Sequence, residues 1–86
     1  MLFRVMFESL SDEHIEFLWT SVNIEGAKRF VRYTNRKTSE GTIIDAVLEV
    51  HFLEGIPFMD SFNILGHTIE SLGRAGIKAT NITLPS

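Results

Sequence analysis

From Thr42 to Phe52 the chain reads TIIDAVLEVHF, with Ile44, Ala46, Leu48, Val50 and Phe52 on alternate positions and Asp45, Glu49 and His51 among the positions between them. A period of two is the signature of a strand with one dry and one wet side. Such a strand suits an antiparallel sheet packed on a single face, because its polar side can remain in water. Residues 2–8 repeat the pattern, with Phe3, Val5 and Phe7 sharing a face. Ser9, Ser11 and Asp12 then offer side-chain oxygens to free helical N–H groups, and Glu13 stands where the helix dipole favours a negative charge. Ile15, Leu18, Trp19 and Val22 follow at i, i+3, i+4 and i+7, which predicts a helix over residues 12–23.

Residues 27–35 (AKRFVRYTN) admit two readings. As a strand they place Val31 and Tyr33 on one face and Phe30 and Arg32 on the other, and close through residues 36–41 into the Thr42 strand as a hairpin. As a helix spanning residues 24–37 they align Ala27, Phe30, Val31 and Thr34, with Asn23 as cap and Arg36 and Lys37 near the end. Residues 14–22 would then become a strand with Ile15, Phe17 and Trp19 on one side.

After Glu54 and Gly55, Pro57 can occupy a first helical turn, where its missing N–H has no partner to lose. Phe58, Phe62, Leu65, Ile69 and Leu72 follow in steps of four and three and predict an amphipathic helix with these five as its buried stripe. Gly66 costs that helix stability relative to alanine, so close packing against a sheet or a partner is expected there. Gly73 and Gly76 suit the left-handed turn that ends a helix. Residues 78–84 (KATNITL) read as a closing strand, stopped by Pro85.

The resulting order of strand, helix, strand, strand, helix, strand resembles the ferredoxin-like split βαβ arrangement. That resemblance implies an α+β sandwich, a four-stranded antiparallel sheet with two helices on one face. At 86 residues the chain has room for one core and hence one domain. The fold hosts many unrelated functions, so chemistry has to be sought in the residues themselves.

The chain has no cysteine, which excludes a disulfide framework, thiol catalysis and a CxxC zinc site. The apolar N-terminal run is interrupted by Arg4 and is too short for a signal core or a membrane span, so a cytoplasmic protein is expected. A net charge of −3 argues against blanket attraction to nucleic acid or anionic membrane. Its distribution is uneven: Lys28, Arg29, Arg32, Arg36 and Lys37 are five of the eight basic residues, whereas Glu8, Asp12, Glu13 and Glu16 crowd the N-terminal part. A basic corner on an acidic body is expected.

Candidate chemistry is sparse. Asp45, Glu49 and His51 share the wet face of one strand, yet a metal needs three or four ligands and these supply a partial set, so no metal or cofactor is assigned. Ser61, Thr68 and Ser71 accompany His67 and Glu70 along the second helix, but adjacent helical positions do not face each other and no glycine-flanked elbow surrounds a serine. Gly73-Arg74-Ala75-Gly76 ends a helix, whereas a phosphate loop must begin one. These absences point away from an enzyme.

The segment with a recognition rationale is Lys28-Arg29-Phe30-Val31-Arg32-Tyr33, continued by Arg36 and Lys37. Arginines neutralise phosphates while Phe30 or Tyr33 stacks on a base. On a four-stranded sheet with an open face this layout resembles an RNA-recognition motif, with Leu2-Phe3-Arg4-Val5 in the place of that family's first-strand motif. The resemblance implies single-stranded nucleic-acid binding through Arg29, Arg32, Tyr33 and Arg36. It breaks at the third strand, where two exposed aromatics are required and Asp45, Val47, Glu49 and His51 stand instead. The same basic patch can dock an acidic protein, since arginine makes two-pronged contacts with carboxylates.

Ile43, Val47 and Leu53 add apolar groups to the wet face, beside Glu49 and His51, and mark a contact surface. The leading expectation is therefore a non-enzymatic binding module of adaptor or inhibitor type, working through its sheet face or basic hairpin. Its partner is a protein, a second copy forming a homodimer being one candidate. A ligand sensor or enzyme with Glu49 and His51 at a dimer interface is the remaining alternative.

Overall fold

The computed structural model describes residues 1–85 apart from 22, 25, 39 and 40, and the side chains of residues 19–21, 35–38 and 41–43 also lie outside the description. Six elements follow one another: β1 (Leu2–Leu10), α1 (Asp12–Ser21), β2 (Ala27–Thr38), β3 (Gly41–Phe52), α2 (Phe58–Arg74) and β4 (Ala79–Thr83). The strands form one antiparallel sheet in the order β2-β3-β1-β4, giving an α+β fold with two helices. The helical alternative for residues 24–37 is overturned: β2 pairs with β3 along its whole length, and residues 12–21 are helical.

Alternation sorts the sheet into two faces. Phe3, Val5 and Phe7 of β1 lie opposite Val50, Leu48 and Ala46 of β3, and all six are buried. Leu18 of α1 and Leu65 and Leu72 of α2 join the same core, with Ile15, Ile69, Val31 and Tyr33 packed at its margin. Trp19 and Val22, expected on the inner stripe of α1, lie outside the described side chains. Among the described residues no helix is long and apolar enough to cross a membrane.

β1 runs further than its sequence pattern indicates because of a bulge. Phe7 faces Ala46 and Leu10 faces Ile44, so Glu8 and Ser9 together oppose Asp45. Ser9 adopts φ 58°, and its N–H donates to Asp45 Oδ1 at 3.2 Å. The extra residue shifts the alternation by one, which returns Leu10 to the core instead of exposing it. Ser11 rather than Ser9 caps α1: its Oγ accepts from the His14 N–H at 3.2 Å.

α2 begins one residue after Pro57. Its buried line is Ser61, Leu65 and Leu72, whereas Phe58 and Phe62 are each 41% exposed. The expected stripe is thus rotated: Phe58 stacks on Phe62 and leans on Phe3, at ring separations of 5.9 Å in both cases, and the two rings rim the core. Ser61 fits inside because its hydroxyl donates to the Pro57 carbonyl, 3.3 Å away.

Gly66 also departs from expectation, since a Cβ there would meet nothing within 4 Å. Gly73 lies within the helix, and Gly76 makes the turn with φ 88°. Ile77 N–H donates to Leu72 O at 2.9 Å and Gly76 N–H to Gly73 O at 3.1 Å, the paired bonds of a Schellman cap, with Ile77 and Leu72 both buried. β4 is short and carries its own irregularity: Asn81 faces Met6 and Ala79 faces Phe7, leaving Thr80 as the extra residue.

Candidate interaction surface

The face of the sheet opposite the core is built rung by rung. Leu2 and Lys28 flank His51, Arg4 and Phe30 flank Glu49, and Met6 and Arg32 flank Val47. β4 extends two of these rungs with Thr83 beside Arg4 and Asn81 beside Met6. Arg4, Met6, Lys28, Phe30 and Arg32 are exposed. Phe30 is 53% exposed, a large apolar side chain left in water next to cations.

Glu49 is the centre of this face, its side chain only 12% exposed. Arg32 Nη2 pairs with Glu49 Oε1 from one side, and Arg4 Nε approaches the same oxygen at 3.7 Å from the other. His51 Nε2 lies 3.6 Å from Glu49 Oε2. The His51 ring meets Phe30 edge to face, with centroids 5.3 Å apart and planes at 82°. These contacts immobilise polar groups from β1, β2 and β3 around one carboxylate, with Phe30, Val47 and Met6 between them.

Of the sequence-predicted residues, Arg32, Val47, Glu49 and His51 are brought together here. Arg29 and Tyr33 are not: strand parity puts them on the helix-facing side with Val31, both partly buried. Arg29 Nη1 donates to the Leu18 carbonyl at 3.4 Å, near the C-terminal end of α1, where carbonyls lack helical partners and the last turn has no basic residue. Arg36 pairs with Ile43 and Lys37 with Thr42 in the backbone register, and their side chains lie outside the described residues. Leu53 falls just past the end of β3 and is exposed. Asp45 is committed to the β1 bulge through Ser9.

The sequence pattern did not place Arg4 and Met6 on this face, and it singled out Lys28 and Phe30 in the basic hairpin without setting them beside His51 and Glu49. The alternation of β1 carried a signal for Arg4, which is out of phase with Phe3 and Val5, but its partner Glu49 is remote in sequence and is found only through the register. Among the described residues no three His, Cys, Asp or Glu side chains converge to hold a metal. A groove of about 500 Å³ between α2 and β4 is lined by Ile69, Gly73, Lys78, Ala79, Thr80, Asn81 and Ile82, with Lys78 as its one titratable group. Comparison with protein-family models, curated proteins and solved structures returns no match.

Proposed function

We propose that this protein is a non-enzymatic, cytoplasmic binding module of adaptor or inhibitor type that associates with a protein partner through the open face of its sheet. The finer architecture belongs to the same reading: strand order β2-β3-β1-β4 with antiparallel neighbours is compatible with the ferredoxin-like split βαβ arrangement, which leaves one sheet face free for association. One observation carries the proposal. Phe30, Met6 and Val47 are accessible around a carboxylate held by Arg4, Arg32 and His51, so apolar area and fixed charges occur in one patch. Protein interfaces are built this way, with an apolar centre supplying area and oriented charges supplying selectivity.

Val47→Glu places a second carboxylate in the middle of the patch, beside Arg32, where it removes apolar area and takes up the arginine. It abolishes retention of the partner by tagged protein while the circular dichroism spectrum stays that of the parent. Undiminished retention would count against the open face as the binding surface. Sedimentation of the same two proteins alone reports whether the partner is a second copy.

A second reading has one observation in its favour: Phe30 stands exposed on β2 two residues from both Lys28 and Arg32, a stacking surface between cations. Single-stranded nucleic acid bound there dissociates steeply as salt rises. No change in the anisotropy of a labelled oligonucleotide at low salt eliminates this reading.

A further inference from the structure

We propose that the open face takes an acidic segment of its protein partner, and that Glu49 is a built-in stand-in for the partner's carboxylate. This inference rests on the protein-association reading above. The charges of the molecule are unevenly placed: α1 carries Asp12, Glu13 and Glu16 with no lysine or arginine, whereas the three rungs around Glu49 carry Arg4, Lys28 and Arg32 against that one acid, with Asp45 and Glu8 set apart at the bulged end of the sheet. The chain as a whole has net charge −3, so this patch opposes the sign of its own protein. A partner surface bearing carboxylates is attracted to it, and a cationic one is repelled.

The geometry specifies how recognition works. Two guanidinium groups converge on Glu49 Oε1, yet the side chain of Arg32 remains 69% exposed and that of Arg4 47% exposed, so both stay open to solvent. Arginine binds carboxylates through two parallel N–H groups, and one carboxylate does not exhaust two such forks. Glu49 orients them without saturating them, and Phe30 and Met6 lie alongside to cover apolar side chains of the bound segment. The internal carboxylate also competes with the incoming one. Removing its charge therefore strengthens binding of an acidic segment, the opposite of what loss of a direct contact would do.

The test uses the full chain, labelled with ¹⁵N, and three probes at low salt: a short synthetic peptide of Glu with Leu and Phe, the same peptide with Lys for Glu, and an oligothymidylate. The acidic peptide is expected to shift the amide signals of Phe30, Arg32, Val47 and Glu49 and to weaken as salt rises. Glu49→Gln is expected to tighten it about fivefold, the scale of one exposed ion pair, and Arg32→Ser to weaken it by a similar factor. Arg32 is exposed, so its variant remains informative even where Glu49→Gln perturbs folding.

An acidic peptide that produces no shift, or a Glu49→Gln affinity at or below that of the parent, overturns the proposal. So does a lysine peptide that binds as well. If partner retention is still lost in Val47→Glu, the open-face reading survives these failures. Tighter oligothymidylate binding at the same residues replaces the acidic segment with nucleic acid. Self-association that blocks the face replaces it with a second copy. Shifts confined to α1, α2 or the α2–β4 groove overturn both this inference and the open-face reading.

Discussion

The two faces of the sheet are made by the same strands and are held by different physics. On the inner face Phe3, Val5, Phe7, Leu48 and Val50 are almost wholly removed from water, and their contribution scales with apolar area, at roughly 25 cal/mol per Å². On the outer face the same strands alternate to Arg4, Met6, Val47, Glu49 and His51, where organisation comes from one carboxylate and its cationic neighbours. The partners of Glu49 are exposed side chains, whose ion pairs contribute about 0–1 kcal/mol each, so this organisation adds less to folding than the inner face does. The difference separates roles: the inner face supplies stability, and the outer face supplies a shaped, charged surface whose energetic return lies in binding.

That comparison breaks most visibly at Phe3, which contacts both Phe52 and Phe58 from the inner face. Phe3→Ala is expected to lower the unfolding free energy by about 3–5 kcal/mol in urea titration, since it removes a fully buried ring and leaves a cavity. An intermediate effect is expected at the bulge that sets the phase of the faces around Leu10. Ser9→Gly relieves a left-handed backbone and gains about 1 kcal/mol, whereas Ser9→Val loses at least as much, measured as opposite shifts in the urea midpoint.

Gly66→Ala tests a site touching neither face. With open space around its Cβ position, it should raise stability by about 0.5–1 kcal/mol through helix propensity alone. A loss there would reveal a contact surface on α2. The smallest effect belongs to the exposed Arg74–Glu70 pair at 2.5 Å, where Glu70→Gln should cost no more than about 0.5 kcal/mol and the cost should vanish in high salt.

Much of this architecture was legible in the sequence because strands and helices announce themselves through period. β3 was readable from its strict alternation, and the strand–helix–strand order followed from the spacing of Ile15, Leu18 and Leu65 to Leu72. β2 was ambiguous for a physical reason: Arg29 interrupts its inward residues Ala27, Val31 and Tyr33, and Phe30 stands among its outward ones, so both periods fit its apolar positions. The bulge at Ser9 was invisible because strand pairing, not a local turn preference, imposes it. Phe58 and Phe62 matched a helical stripe, but the docking angle of α2 chose Ser61, Leu65 and Leu72 for the interior. The candidate surface was half legible: Val47, Glu49 and His51 came from alternation within β3. Their partners Arg4 and Phe30 arrive from other strands, and only the register brings them in. The same limit hid the role of Arg29, whose position in a basic run said nothing of the Leu18 carbonyl it reaches.

Neighbouring residues Val47 and Leu48 point to opposite faces of β3 and provide the most direct test. The measurement is the unfolding free energy of Val47→Ala and Leu48→Ala by urea titration under identical conditions. A loss of about 2–5 kcal/mol is expected for Leu48→Ala and under about 1 kcal/mol for Val47→Ala. Comparable losses at the two positions would mean that the outer face is part of the folding core, and would contradict the division of roles on which the proposed binding surface depends.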